Sequence, residues 1–234
     1  MILYVNGDSH SAGAEAVNNY CFAEDDPLYY SLGRIPHPDN EKASYGCNIA
    51  NELFAVLHCD AESASSNSRI IRTTKKYLED TKPDAIIIGW ATWERQEWLH
   101  DEVYYQITGS GTDRLPAELV KKYKEWVITS ATDYANNELY NHETIWNFHE
   151  YLNDLAIPHL FFNTYNCFAH IRINDLPRKD WKDSYLNPYN EEFTYYNWLI
   201  SNGYKTVKPG SYHFRADAHG KWAEFLLPHL TRLL

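Results

Sequence analysis

A short segment near the start of the sequence carries a serine at a position suited to nucleophilic chemistry. Asn6-Gly7-Asp8-Ser9 follows Ile2–Val5, an apolar run rich in β-forming residues and long enough for one buried strand. In open α/β sheets, reacting groups lie just beyond the carboxyl ends of the strands, which is where Ser9 falls. A structural alternative stays open, because Asp8, Ser9 and Ser11 are all good helix N-caps and the segment could be a capped turn.

The other candidate residues lie near the end of the sequence. Ser211–Gly220 contains two histidines, His213 and His219. A serine nucleophile needs a base, usually histidine, and hydrogen-bond donors for the oxyanion that forms during attack. Spacing within this segment does not by itself choose between the two rings.

The elements that must position these residues alternate between strands and helices. Ala85–Gly89 is a continuous, β-branched run ended by glycine, which predicts a strand buried on both faces, and Pro158–Tyr165 carries a second strand. A weak strand is possible near His58–Asp60. Helices are predicted for seven ranges with apolar residues at helical spacing or with capping residues: Ser11–Tyr20, Ser44–His58, Ile70–Leu78 (capped by Ser66 or Asn67), Leu115–Tyr134, Thr144–Leu155, Glu191–Ser201 and Asp217–Leu227. Three ranges are predicted to be loops: Asp25–Lys42, Trp90–Trp98 and Asp175–Tyr189.

This alternation predicts an α/β protein with a parallel sheet covered by helices on both faces. Because the carboxyl ends of parallel strands meet at one edge, Ser9, the Ala61–Asn67 loop and the Trp90–Glu97 loop are expected to share a cleft. We find no internal repeat and no domain boundary, so residues 1–234 are predicted to form a single domain.

Charge and hydropathy exclude several classes of protein. The chain has 234 residues and a net charge of −11, which argues against binding to a nucleic-acid backbone. A hydrophobic content of 44% with 23% charged residues is typical of a soluble globular protein. No apolar run reaches transmembrane length, and the first strand begins at Ile2, which leaves no room for a signal peptide. We therefore expect a cytoplasmic protein that does not associate with membranes.

The cysteines give no sign of a metal site or of a disulfide framework. Cys21, Cys47, Cys59 and Cys167 are widely spaced, and no Cys-x-x-Cys pair is present. A chain of this size does not need disulfides to be stable. We expect free thiols, no metal and no cofactor.

The Gly7-Asp8-Ser9 segment resembles the first sequence block of the SGNH (GDSL) hydrolase family, in which this serine is the nucleophile. In that family a glycine and an asparagine from two later loops join the serine N–H in the oxyanion hole, and a C-terminal Asp-x-x-His supplies the acid and the base. The resemblance implies a three-layer α/β/α sandwich with a central parallel sheet, similar to flavodoxin. It covers nearly the whole chain in order of elements, but only the first block matches residue for residue.

The second and third blocks depart from the family pattern. The resemblance aligns Ala64 with the family's glycine, and the backbone N–H of an alanine can still donate to the oxyanion. The third block reads Gly89-Trp90-Ala91-Thr92, so Ala91 stands where the family has its asparagine. Losing one such donor costs on the order of 2.7–4 kcal/mol of transition-state stabilisation. Thr92 or Asn67 could take its place.

The fourth block favours His213 as the base. A small residue follows the family's histidine by roughly three helical turns, and Ala223 stands at that distance from His213. His219 is then expected to pack or cap in the first turn of the terminal helix, and Asp217 to be its N-cap. Gly210 occupies the position of the family's aspartate, so the acid is missing from its usual place. The sequence leaves open a Ser–His dyad, a carboxylate from elsewhere or a site without hydrolytic activity.

These residues together predict an ester or acyl hydrolase, either an esterase, a lipase-like enzyme or a carbohydrate deacetylase. Ser9 is the expected nucleophile and His213 the base, with Ser9, Ala64 and Thr92 forming the oxyanion site. A small-molecule ester or an acylated carbohydrate is the expected substrate. The alternative is a catalytically impaired scaffold that binds a glycan or a protein partner, and the sequence does not specify the oligomeric state.

Five residues are predicted to contact the substrate: His10, Asn67, Trp90, Trp93 and Arg95. Each also has a structural interpretation. The tryptophans could stack on a sugar or fill the core, Arg95 could form a surface ion pair, and His10 could be an exposed loop residue.

Overall fold

A four-stranded parallel sheet forms the centre of the protein. The computed structural model describes residues 1–18, 36–109, 111–112, 115–173 and 178–234. The strands of the sheet are β1 (Ile2–Asn6), β2 (Val56–Cys59), β3 (Ala85–Trp90) and β7 (His159–Asn163), in the order β2-β1-β3-β7. All neighbouring pairs are parallel.

Helices cover both faces of this sheet. The structure describes α1 (Pro38–Lys42), α2 (Tyr45–Glu52), α3 (Asn67–Asp80), α4 (Ala117–Thr129), α5 (Tyr134–Asp154), α6 (Ala169–Ile173), α7 (Tyr195–Ser201) and α8 (Ala216–Leu233). Residues that alternate along the strands face opposite sides. Leu3 and Val5 of β1 pack with α2, α7 and α8, whereas Tyr4 packs with α3 and α5. The three-layer α/β/α sandwich with a central parallel sheet is therefore confirmed.

Several predicted boundaries agree with the structure. The strand predicted at Ala85–Gly89 is the fully buried β3, which extends by one residue to Trp90. Ser44 and Ser66 are N-caps whose side chains accept hydrogen bonds from the first turns of α2 and α3. His219 lies in the first turn of α8 and packs against Tyr45.

Other boundaries were predicted wrongly. The helix predicted at Ser11–Tyr20 is absent from the described part of that range, where residues 9–16 form consecutive turns. The helix predicted at Ser44–His58 ends at Glu52, and the chain then forms the edge strand β2. At the terminal helix the N-cap is Arg215 rather than Asp217.

A small antiparallel sheet follows β3. It consists of β4 (Gln96–His100), β5 (Val103–Thr108) and β6 (Gly111–Thr112), where the sequence predicted only a loop followed by a helix. Trp98 and Ile107 pack this hairpin on α4. That residues 1–234 form a single domain stays a prediction.

Two further predictions concern segments that are only partly described. The Asp25–Lys42 loop lies mostly outside the described residues, and its described end contains the short helix α1. Cys47, Cys59 and Cys167 are free thiols, whereas Cys21 lies outside the described residues. None of the helices that the structure describes is long and apolar enough to cross a membrane.

Candidate active site

Ser9 and His213 lie within hydrogen-bonding distance of each other. Ser9 stands directly after β1 and His213 shortly before α8, and the Ser9 Oγ is 2.9 Å from the His213 Nε2. Ser9 is mostly buried, but 8% of its surface is exposed to solvent. The two residues that the sequence placed in the roles of nucleophile and base are therefore adjacent.

A carboxylate that the sequence reasoning missed completes the arrangement. The His213 Nδ1 is 2.7 Å from the Glu15 Oε2. The Ser211 hydroxyl also donates to this oxygen (3.2 Å), and the Lys208 ammonium donates to the other (3.1 Å). Ser9, His213 and Glu15 thus form a continuous serine–histidine–carboxylate chain of hydrogen bonds.

The turn after Ser9 brings Glu15 back to the histidine. The backbone N–H of Ala14 donates to the carbonyl of Ser9 (2.9 Å), and Glu15 adopts a left-handed backbone with φ 61°. A left-handed conformation is strained for a residue with a Cβ and persists where the surroundings impose it. Here the Arg215 guanidinium donates to the Glu15 carbonyl, and the Ala216 N–H donates to the Ala16 carbonyl. These bonds join the Ser9 loop to the start of α8.

The hydrogen bonds fix the tautomer of His213. An ionised Glu15 only accepts, so Nδ1 carries the proton and Nε2 is free to accept from Ser9. Burial lowers the pKa of His213, as does nearby His10, while Glu15 opposes the shift. Burial would raise the pKa of Glu15, but the hydrogen bonds from His213 and Lys208 lower it overall. A neutral imidazole beside an ionised carboxylate is the state required of a general base.

The buried carboxylate of Asp8 holds the segment that carries Ser9. Its carboxylate accepts from the His10 ring (Nδ1, 2.9 Å), from the His10 N–H (3.0 Å) and from Arg95 (Nη1, 2.9 Å). Burial would raise the pKa of Asp8, but His10 and Arg95 hold it well below its usual range. The carboxylate therefore stays charged and satisfied, and it fixes the loop on which Ser9 stands.

Close packing explains the glycine in Gly7-Asp8-Ser9. A Cβ on Gly7 would lie 2.1 Å from the Ser11 Oγ and 2.8 Å from the Gly89 carbonyl oxygen. A Cβ on Gly89 would lie 2.6 Å from the same Ser11 hydroxyl, which accepts a hydrogen bond from Tyr45. The loops after β1 and β3 can approach this closely because neither position has a side chain.

Two backbone N–H groups are available for an oxyanion. Among the described residues, neither the Ser9 N–H nor the Ala64 N–H donates a hydrogen bond. Ala64 lies in a turn closed by hydrogen bonds from the N–H and the hydroxyl of Ser65 to the Glu62 carbonyl. Its φ of 61° lies in the left-handed region that favours glycine, the residue with which the sequence resemblance aligns Ala64.

The side chains expected to replace the missing asparagine are engaged elsewhere. The Thr92 hydroxyl donates to Glu94 (2.9 Å), so its proton is not free for an oxyanion. The Asn67 amide accepts from the Ala91 N–H and donates to Asn141 (2.8 Å) and to the Ala91 carbonyl. Asn67 therefore holds the loop after β3, and the expectation that Thr92 donates to the oxyanion does not fit this arrangement.

The predicted substrate-binding tryptophans are mostly in the core. Trp90 has no exposed surface and packs edge-on against Phe148 and Phe161, so its predicted contact with substrate is wrong. Trp93 stacks on Phe168 at 4.8 Å and is 7% exposed. His10 is also buried rather than an exposed loop residue, and its ring lies against that of His213.

Three of the five residues predicted to bind substrate line one cavity. Asn67, Trp93 and Arg95 border a space of about 270 Å³. Residues of α5 close its other side, including the exposed Tyr140 and the amide side chain of Asn137. Among the described residues, no group of three or more histidine, cysteine, aspartate or glutamate side chains is arranged to hold a metal ion.

Comparisons with known proteins find likeness in structure and not in sequence. No protein-family model and no curated protein matches the chain. The alpha/beta hydrolase enzyme LAE5 from the metagenome of Lake Arreo, Spain, superposes with a TM-score of 0.50 at 10% identity, covering 100% of this chain and 96% of the other. This likeness shows a shared fold.

Two other solved structures align over nearly the whole chain. The acetyl xylan esterase Est2A from the rumen bacterium Butyrivibrio proteoclasticus has a TM-score of 0.49 at 13% identity, with 99% of this chain covered. A G-D-S-L family protein from Desulfitobacterium hafniense DCB-2 has a TM-score of 0.47 at 9% identity, covering 100% of this chain and 99% of the other. The chain spans less than two thirds of the esterase, 63% of its length.

Proposed function

We propose that this chain, which has the fold of the SGNH (GDSL) hydrolases, is a serine-dependent hydrolase of carboxylic or acetyl esters. One observation carries the proposal: Ser9 Oγ, His213 and Glu15 are joined by hydrogen bonds of 2.9 and 2.7 Å in the order nucleophile, base and acid. The acid that the C-terminal segment lacks is supplied by the loop of the nucleophile itself.

The first half of the reaction forms an acyl-enzyme. His213 Nε2 takes the Ser9 hydroxyl proton as Oγ attacks the acyl carbon, and the carbonyl oxygen becomes an oxyanion held by the Ser9 and Ala64 N–H groups. Glu15 accepts from Nδ1–H throughout and stabilises the imidazolium without taking its proton. His213 then gives the proton to the leaving alcohol, and the ester bond breaks.

The second half of the reaction releases the acid. His213 Nε2 removes a proton from a water molecule, whose oxygen attacks the acyl carbon of the Ser9 ester. The same two N–H groups hold the second oxyanion. When this intermediate collapses, His213 returns the proton to Ser9 Oγ, and the free carboxylic acid leaves. No cofactor enters this sequence of steps.

Glu15 also bears on the alternative function. An impaired scaffold that binds a glycan or a protein was favoured by the missing aspartate and the missing asparagine. Glu15 removes the first argument, because its carboxylate makes the contact with His213 that an aspartate would make. The asparagine is still absent, so we expect turnover limited by oxyanion stabilisation rather than an inert site.

The cavity beside Arg95 supports a polar substrate. Its lining combines an exposed tyrosine, Tyr140, with the amides Asn137 and Gln96 and the guanidinium of Arg95. Aromatic faces and amide groups are the partners that sugar rings take, whereas a long acyl chain needs apolar walls. We propose an acylated carbohydrate as the substrate and deacetylation as the reaction.

The direct test is labelling and turnover of Ser9. Wild-type protein is incubated with a fluorophosphonate, and the adduct is located by mass spectrometry of peptides. Turnover of p-nitrophenyl acetate is measured for the wild type and Ser9→Ala. Ser201→Ala is the control, because this exposed serine lies on α7 and, among the described residues, its hydroxyl bonds only to the Trp198 carbonyl.

The expected result is one adduct on Ser9, full activity in Ser201→Ala and a rate at background level in Ser9→Ala. Equal rates for Ser9→Ala and the wild type, or an adduct on another residue, would contradict the assignment of the nucleophile. Binding of an acetylated oligosaccharide without release of acetate by the wild type would favour the scaffold instead.

A further inference from the structure

Arg95 joins the two loops that carry the proposed oxyanion donors. Its Nη1 donates to the Asp8 Oδ2 at 2.9 Å and lies 3.4 Å from the Ser65 carbonyl oxygen, to which it also donates. Asp8 immediately precedes Ser9, and Ser65 immediately follows Ala64. A single nitrogen of Arg95 therefore bonds both to Asp8, the residue before Ser9, and to Ser65, the residue after Ala64.

The Ala64 turn has a second anchor at its other end. The Glu62 N–H donates to the Gly7 carbonyl at 3.2 Å, which ties the start of the turn to the nucleophile segment. Arg95 ties the end of the turn to the same segment through Asp8. With Ala64 between these two anchors, the separation of its N–H from that of Ser9 is fixed from both sides.

The bridge is an ion pair that is largely shielded from water. Asp8 has no exposed side-chain surface, and the Arg95 side chain is 17% exposed. Removing one partner of such a pair leaves a buried charge without compensation, so the surrounding loop is expected to shift. Arg95 also lines the 270 Å³ cavity, which would give a small cation access to this position once the side chain is truncated.

The side chains expected to replace the asparagine near Ala91 are engaged elsewhere. Ala91 has no polar side chain, Thr92 donates to Glu94, and Asn67 is bonded to the Ala91 backbone and to Asn141. The family's asparagine would have contributed a donor at this edge. In this chain the Arg95 guanidinium instead holds the loops that carry the two remaining donors, the N–H groups of Ser9 and Ala64.

We infer that Arg95 is the positioning residue of the oxyanion hole, holding the Ala64 turn against the Ser9 segment so that both N–H groups face one oxygen. The inference rests on the hydrolase function proposed above. Oxyanion donors act at about 2.7–3.1 Å, and a displacement of about 1 Å can cost on the order of 10²-fold in rate. Arg95 acts through these backbone groups and does not touch the reacting atoms.

The test compares Arg95→Met with Arg72→Met. Arg72 is a matched control because it also pairs with a buried carboxylate, Glu97, through two hydrogen bonds (2.6 and 2.8 Å), yet among the described residues it donates no hydrogen bond to either loop. With p-nitrophenyl acetate, which does not depend on the sugar cavity that Arg95 also lines, we expect Arg95→Met to lower kcat about 10²-fold with KM within about threefold. For Arg72→Met we expect kcat within about threefold of the wild type.

Two readouts separate positioning from a general loss of structure. The affinity for a boronic acid, which forms a tetrahedral adduct on Ser9, should fall in parallel with kcat/KM for p-nitrophenyl acetate, while the affinity for its product p-nitrophenol stays unchanged. Methylguanidinium added to Arg95→Met should restore part of kcat, and Arg95→Lys should keep more activity than Arg95→Met. If circular dichroism shows that Arg95→Met does not fold, Arg95→Lys is compared with the wild type instead. Its kcat should then fall by a larger factor than its KM changes.

The outcomes distinguish this inference from the function on which it rests. If Ser9→Ala is inactive but Arg95→Met turns over within threefold of the wild type, Arg95 does not position the oxyanion hole. A rise in KM with kcat unchanged would also overturn the inference, because Arg95 would then bind substrate instead. If Ser9→Ala retains wild-type turnover, the proposed hydrolase mechanism is wrong and this inference is wrong with it.

Discussion

The Nδ1 of His213 lies 2.7 Å from the Glu15 carboxylate, although 198 positions separate the two residues in the chain. Gly210 stands where the sequence resemblance places an aspartate, and in the proposed mechanism Glu15 from the Ser9 loop supplies the acid instead. Because Glu15 is held by Ser211 and Lys208 as well as by His213, the carboxylate has a defined orientation. With this contact, Ser9, His213 and Glu15 form an unbroken serine–histidine–carboxylate chain of hydrogen bonds.

The first prediction concerns this contact. Glu15→Gln places an amide where His213 needs an acceptor, which favours the wrong tautomer and removes the charge that stabilises the imidazolium. We expect kcat/KM for p-nitrophenyl acetate to fall by up to about 10⁴-fold, the loss seen when the acid of a serine–histidine triad becomes an amide. Glu52→Gln, an exposed site on α2, is the control and should retain activity. An active Glu15→Gln enzyme would mean that Ser9 and His213 work as a dyad.

Glu15 shows why sequence reasoning found only part of the site. Ser9 and His213 stand in patterns that resemble family blocks, so their order and spacing were enough to select them. Glu15 matches no block, and its role depends on a left-handed turn and on the pairing of the Ser9 loop with α8. The signal available was weak: a lone glutamate between Ala14 and Ala16 in an otherwise small and polar loop.

The central sheet was easier to predict from the sequence than the segment that follows β3. A continuous β-branched run such as Ala85–Gly89 has few alternatives, and its prediction as a buried strand held. Trp90 extends that strand by one residue into the core, which turned an expected cleft residue into a packing residue. The Gln96–His100 strand was missed because its polar residues pair with those of the neighbouring strand β5, as Glu97 does with Gln106.

The second prediction is a pH profile. The base must be neutral, so kcat/KM should fall as the pH drops through the pKa of His213. Burial lowers that pKa, and we expect the acidic limb to lie below the ordinary value of about 6.5. Lys208→Met removes a cation from Glu15, which makes the carboxylate a better partner for imidazolium and should move the limb to higher pH. Lys221→Met, an exposed lysine paired with Glu224, should leave it in place. A shift to lower pH in Lys208→Met would contradict this account.

The third prediction tests the cavity as a sugar site. Tyr140 lines it and is 67% exposed, whereas Tyr134 lies on the same helix, is 65% exposed and is not among the lining residues. We expect Tyr140→Ala to raise KM for an acetylated oligosaccharide by about threefold to tenfold, the loss of one aromatic contact. KM for p-nitrophenyl acetate should not change, and Tyr134→Ala should resemble the wild type with both substrates. Equal behaviour of the two variants would place the sugar elsewhere.

A chain of buried histidines away from the site makes the fold sensitive to acid. The Asn153 amide donates to the His149 Nε2 (3.0 Å), the His149 Nδ1–H to the His159 Nε2 (2.7 Å), and the His159 Nδ1–H to the Ile157 carbonyl (2.8 Å). The carbonyl can only accept, which sets the direction of the whole chain. Protonating His159 would place a second hydrogen between the two rings, so the arrangement requires both to be neutral.

The fourth prediction follows from that requirement. Burial lowers the pKa of His159 to about 4, and it also lowers the pKa of His149. The unfolded chain then binds more protons than the folded one between about pH 6.5 and pH 4, so stability is full above this window and falls as the pH drops through it. From His159 alone the loss approaches roughly 3 kcal/mol in the free energy of unfolding. Urea titrations followed by tryptophan fluorescence at several pH values would measure it. In the double variant His149→Leu/His159→Leu, the free energy of unfolding should depend less steeply on pH. The control His100→Asn should keep the slope of the wild type. An unchanged slope in the double variant would assign the acid sensitivity to other groups.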